Sequence, residues 1–123
     1  MLLLDTHVFL WWRSRPSKIP PAVTRNIAVA EVVFVSAASA WETAIKVALG
    51  KLRLPENFES GVAKSGFRQL PIGFGHAARV SDLPHHHQDP FDRMLVAQAQ
   101  SEGLTLVSHD RHLAPYDVPI LWV

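Results

Sequence analysis

Four acidic side chains stand at positions from which they could act together. Asp5 follows the apolar run Met1 to Leu4, Glu42 falls early in a helical stretch, Asp92 lies three residues after Asp89 at the start of another, and Asp110 lies just past Leu104 to Val107. Carboxylates gathered on one rim repel one another and raise their own pKa values unless a cation sits among them. An all-oxygen donor set suits a hard divalent ion, Mg2+ or Mn2+. Such an ion acidifies water, orients it for in-line attack and offsets charge on a leaving oxygen, so the chemistry to expect is hydrolysis of a phosphoester.

Each acid also has a plainer reading. Ser39-Ala40-Trp41-Glu42 has the form of a capping box, and Asp89 with Asp92 places two acids where a helix dipole favours them. An Asp at a strand end can simply bind loop amides. The conjunction of all four is what points to a metal. A cationic side chain could serve instead, and the neighbours in sequence are Arg93 and Arg111. Adjacent residues on a helix face different ways, so Arg93 is not expected to neutralise Asp92.

The elements that must position these acids alternate along the chain. Met1 to Leu4 reads as a strand, and the stretch around Phe9 to Trp12 as a helix ending before Pro16. Pro21 to Ala30 reads as a second helix, Val32 to Val35 as a buried strand, and Ser36 to Gly50 as a strong helix. Weaker signals mark a helix over 56–64, a strand over 68–72 and a helix over 76–81. Asp89 is placed to cap a helix that has Pro90 at its first position and stops before Gly103. Leu104 to Val107 and Pro119 to Val123 close the strand set. Apolar strands alternating with helices predict a three-layer α/β/α sandwich around a mostly parallel sheet of about five strands, with the site at the carboxyl ends of the strands. Strands one, two and four need only be near neighbours for the acids to converge.

Composition narrows the field further. The chain has 123 residues, 48% hydrophobic, with 12 Lys+Arg, 11 Asp+Glu and no cysteine. That fits one domain over residues 1–123, excludes a disordered chain, and removes thiol nucleophiles and thiolate zinc sites. The N-terminus meets a charge after four residues and no apolar run is long enough to span a bilayer, so neither a secretory signal nor a membrane anchor is expected and the cytoplasm is the default compartment. Setting the four acids aside leaves seven acidic residues against 12 basic ones, which suits a phosphate backbone. Among the basic residues, Arg13, Arg15 and Lys18 follow the first strand, and Lys46, Lys51 and Arg53 lie in or after the Glu42 helix.

Leu3-Leu4-Asp5-Thr6-His7, Ser36 to Glu42, Asp89-Pro90-Phe91-Asp92-Arg93-Met94-Leu95-Val96-Ala97-Gln98-Ala99 and Leu106-Val107-Ser108-His109-Asp110, taken in this order, resemble the PIN-domain ribonucleases, and among them the VapC-type toxins of bacterial toxin–antitoxin pairs. The resemblance runs over nearly the whole chain. It implies a PIN-like nuclease domain with Asp5, Glu42, Asp92 and Asp110 as the metal-binding and catalytic set, Mg2+- or Mn2+-dependent cleavage of RNA, homodimerisation, and inhibition by a small antitoxin protein. Ser108 stands where the family more often has Thr, which keeps the hydroxyl.

Around this set, Thr6 and Ser108 are placed to orient carboxylates from a second layer. Asp89 is read as a helix cap. His85-His86-His87 is set aside as a metal cluster because three consecutive side chains point in different directions, and His109 and His112 are read as surface loop residues. Trp11, Trp12 and Trp41 are expected in core or dimer packing rather than on bases, and Phe91 in the core. The expected activity is a metal-dependent endoribonuclease that leaves a 5′-phosphate and a 3′-hydroxyl, with no histidine or lysine base. A phospho-receiver domain would need a late lysine, but the last is Lys64; a haloacid-dehalogenase-type phosphatase would need an acid where His7 stands. A catalytically idle module that binds RNA or an antitoxin without cleavage is the remaining alternative.

Overall fold

The apolar runs become the spine of the molecule, which a computed structural model describes over residues 1–123. β1 (Leu2–Leu4), β2 (Val33–Ser36), β3 (Arg68–Leu70), β4 (Thr105–Ser108) and β5 (Ile120–Trp122) form one sheet in the order β3-β2-β1-β4-β5. Every pairing is parallel, with Leu3 level with Phe34 on one side and Leu106 on the other. The first strand is therefore central, between the second and fourth.

Side chains alternate across a strand, and each face of this sheet feeds its own core. Leu3 and Leu106 pack with Leu95, Val96 and Leu83 beneath α5 (Phe74–Asp82) and α6 (Pro90–Glu102). Leu4 and Val107 pack with Val8, Phe9, Val23 and Ile27 of α1 (Thr6–Ser14) and α2 (Pro21–Val29). α4 (Phe58–Lys64) adds Val62 to this second core, and α3 (Ala37–Ala48) adds Ala38 to the first. Burying each such aliphatic chain contributes about 1.5–3 kcal/mol.

Several boundaries move for local reasons. α1 starts at Thr6, ahead of the apolar stretch, because the Asp5 carboxylate caps it by accepting the Val8 amide at 2.8 Å. β3 stops at Leu70, since Pro71 has no N–H for the ladder. α5 starts at Phe74, where the Gly73 amide donates to His76 Nδ1 at 3.0 Å. α6 ends on Gly103, whose φ of 66° is left-handed and disfavours any side chain.

One expectation about aromatic packing is corrected. Phe91 is half-buried at the rim rather than in the core, its ring 5.1 Å from that of Trp41, which is itself 61% exposed. The reason is the orientation of α3: its buried residues are Ala38, Ser39, Glu42 and Thr43, while Trp41, Ile45 and Leu49 face outward. Trp11 and Trp12 are half-buried against the second core, as expected.

Candidate active site

The carboxyl ends of β1 and β4 are adjacent, and they deliver the first and last acids side by side. Asp5 is buried; one oxygen accepts the Val8 amide and the other accepts the Ser108 hydroxyl at 2.5 Å. Burial raises its pKa, opposed by those two hydrogen bonds and by His109 and His7. Asp110 follows Ser108 by two residues, and its amide donates to the Ser108 hydroxyl at 3.0 Å. Burial pushes the Asp110 pKa up, but the amide and ring of His112 and the ring of His87 outweigh it and hold the group at about 2.

Glu42 comes from the inner face of α3. One oxygen accepts the Thr6 hydroxyl at 2.7 Å, with the Ser39 hydroxyl 2.9 Å from the same Thr6 oxygen, and the other accepts Lys46 Nζ at 2.9 Å. It is not a capping-box partner, because Ser36 caps α3 through the Ala38 amide. Asp92 comes from the first turn of α6. Asp89 caps that helix, accepting the Phe91 and Asp92 amides at 2.9 and 3.0 Å.

Asp92 senses the charges of Asp5 and Glu42 and is tied to Asp110 through His87. Its pKa is pushed up to about 7, first by burial and then by the charges of Asp89, Asp5 and Glu42, with His87 opposing. The expected repulsion is thus present, and it falls on one residue.

The cations nearby are not those suggested by sequence adjacency. Arg93 turns away into a buried niche, donating to the carbonyls of Pro84 at 2.8 Å and Val80 at 3.1 Å and to Tyr116 Oη at 3.0 Å. Arg111 lies over the Trp122 ring, 4.3 Å from its centroid. His87, which sequence reasoning set aside with its neighbours, sits in the rim: Nε2 is 3.0 Å from Asp92 Oδ2 and 2.8 Å from Asp110 Oδ2. His85 and His86 are exposed and do not join it. Nδ1 of His87 faces the Gln88 amide at 3.0 Å, which assigns the ring proton to Nε2, between the two carboxylates. The carboxylates raise the imidazole's pKa, although burial of the ring works against them. Tyr116 Oη also accepts the His87 amide at 3.0 Å, so Arg93 and Tyr116 together hold the loop that carries the histidine. The only sequence signal for His87 was its place two residues before the capping Asp89.

The donors present fit a divalent ion. Asp89, Asp5 and Glu42 load Asp92 with like charge, which a cation beside it would relieve. The side chains whose ligand atoms lie within 4.8 Å of one another are His87, Asp110 and His112, two nitrogen donors and one carboxylate. A cavity of about 680 Å³ opens beside the rim rather than on it, between α1 and the segment from Leu52 to Phe58, and His7 lines its edge.

Comparison with known proteins agrees with this architecture. The family model of the PIN domain matches residues 2–119. Ribonuclease VapC22 of Mycobacterium tuberculosis (strain ATCC 25618 / H37Rv) is 30% identical over 121 residues, covering 96% of this chain and 93% of the relative. Among solved structures, VapBC2 from Rickettsia felis, bound to a DNA fragment from the promoter, superposes with a TM-score of 0.76 at 12% identity, covering 99% of this chain and 98% of that one. FitAcB from Neisseria gonorrhoeae superposes with a TM-score of 0.65 at 24% identity, over 98% and 96% of the two chains. These structural likenesses concern the fold.

Proposed function

The chain belongs to the PIN-domain family, and from that premise we propose that it is a metal-dependent endoribonuclease, the toxin of a toxin–antitoxin pair. The observation that carries the reading is the convergence on Asp92, which the charges of Asp5 and Glu42 load and which His87 joins to Asp110. Its 30% identity to a VapC ribonuclease and its likeness in fold to toxin–antitoxin complexes support the same reading.

Asp5, Asp92 and Asp110 would hold Mg2+ or Mn2+, with Glu42 at the edge of the set because Lys46 shares its charge. When bound, the ion supplies Lewis acidity and an acidified water for hydrolysis of the phosphodiester, leaving a 5′-phosphate and a 3′-hydroxyl. The protein's own part is to fix its ligands. Ser108 aims Asp5, and Thr6 aims Glu42, so both carboxylates are held without rotamer freedom before any ion arrives. His87 Nε2 holds together Asp92 and Asp110, two of the carboxylates that would take the ion.

The partners in this reading are RNA, a small antitoxin protein and a second copy of the chain, in the cytoplasm. The outward apolar residues of α3 support a protein partner there. No helix is long and apolar enough to cross a membrane.

The test is cleavage of total cellular RNA by purified protein with Mg2+, Mn2+ or EDTA, beside Asp5→Asn. Asn retains an oxygen for the Val8 amide but loses the charge, so the variant folds while cleavage falls at least 100-fold. Undiminished cleavage by the variant, or equal cleavage in EDTA, refutes the proposal.

A further inference from the structure

The cavity beside the acidic rim has walls that the hydrolytic site does not use. One wall is α1, which begins at the site with Asp5 as its cap and continues into the cavity with His7, Trp11 and Arg15. The opposite wall is the segment from Leu52 to Phe58. At about 680 Å³ the space is within the roughly 300–1,000 Å³ usual for small-ligand sites.

Trp11 and His7 line the cavity, and the His109 ring, outside the lining, packs against both. Trp11 lies 4.7 Å from His109 and 6.2 Å from His7, and the two histidine rings are 5.4 Å apart. His7 is two residues beyond Asp5 and His109 immediately precedes Asp110, so the rings continue directly from the acids. Both histidines are exposed and Trp11 is half-buried.

The charge in the cavity has one sign to spare. Arg13 is spent on Glu56, at 2.6 and 3.1 Å, and Lys64 adds a contact to the same carboxylate at 3.4 Å. Gly61 lets this pair sit close: a Cβ there would lie 3.0 Å from Glu56 Oε1. Arg15 and Arg53 line the space without an ion pair, and Lys18 Nζ stands 5.7 Å over the Trp11 ring. Unspent cations beside aromatic rings are what a single nucleic-acid strand requires: a π-face for the base and positive charge for its phosphate.

We propose that this cavity is a nucleobase pocket, in which Trp11, flanked by His7, stacks on an RNA base next to the scissile phosphate while Arg15 and Arg53 hold the neighbouring phosphates. The inference rests on the ribonuclease reading and assigns where the substrate strand is gripped. A phosphate-bearing strand is better suited than an apolar peptide, because it gives the two exposed arginines ionic partners.

The test is binding of labelled single-stranded RNA octamers to the full chain in EDTA, where no cleavage competes. The same octamers with one abasic ribose keep every phosphate and lose one base. Trp11→Ala weakens binding of intact RNA ten-fold or more, Trp11→Phe stays within three-fold of the native chain, and Arg53→Gln reduces the salt dependence. An abasic position that costs the native chain ten-fold costs Trp11→Ala little, because the two changes remove the same contact. Equal abasic penalties in both proteins overturn the pocket, as does unchanged RNA affinity in Trp11→Ala with loss of a co-purified protein partner instead. Base-dependent binding through Trp11 without cleavage in Mn2+ leaves the pocket standing and removes the ribonuclease; metal-dependent cleavage with RNA binding indifferent to Trp11 does the reverse.

Discussion

Asp92 concentrates the electrostatics of the rim in one carboxyl. Between its unfolded value of 3.8 and its folded value of about 7, the native state keeps a proton that the unfolded chain has lost. Metal-free stability therefore falls as pH rises through that window, by an upper bound of about 4 kcal/mol. His87, whose pKa is also raised, pulls the same way as pH climbs through its folded value, whereas Asp110 at about 2 loses its stabilising contribution only as pH falls from 3.8 toward that value. Asp92→Asn removes the main liability: in urea unfolding without metal it is more stable than the native chain at pH 8, and the gap closes toward pH 4. An unchanged pH profile would mean that the acids do not share a field. At this scale the sequence was legible where an acid follows an apolar run or opens a helix, as Asp5, Asp92 and Asp110 do. His87 was not, because three adjacent histidines have no periodicity and only the Tyr116 and Arg93 contacts, 29 and 6 residues away, decide which one turns inward.

α6 is the element whose start was most clearly written, with Asp89, Pro90 and Asp92 in cap, first and third positions. Asp89 has two separable effects, capping through its oxygen and loading Asp92 through its charge. Asp89→Ala costs about 1 kcal/mol of stability at pH 5, where the cap dominates, while Asp89→Asn stays within about 0.5 kcal/mol. Both variants lower the pKa of Asp92, which a carboxyl NMR titration reads directly; a fixed pKa would show that Asp89 acts only as a cap. α3 was legible as a helix but not in its orientation. Its apolar spacing reports a stripe, and a stripe does not say whether core or solvent receives it, so Glu42 turning inward beside Thr6 and Ser39 while Trp41 turns outward emerges only from packing. Short strands behaved likewise: β1, β2 and β4 announce themselves by unbroken apolar runs, whereas β3 has two exposed residues of three and is recognisable mainly by its parallel partner β2.

Taken as a whole, the molecule is a parallel sheet that brings Asp5 and Asp110 to the adjacent ends of β1 and β4, where the proposed ion would sit. Saturating Mn2+ at a hundred times its Kd adds about 2.7 kcal/mol and raises the melting temperature on the order of 10 °C for a chain of this length. Asp92→Asn abolishes most of that gain, measured by calorimetry with and without EDTA; an equal rise in the variant would place the ion elsewhere. The central position of β1 has one further consequence. Ser108, which holds Asp5, is made 103 residues after it, so a growing chain lacks that contact until β4 has been translated and has docked beside β1. A ribosome that carries the unfinished chain thus carries the first acid without the hydroxyl that aims it.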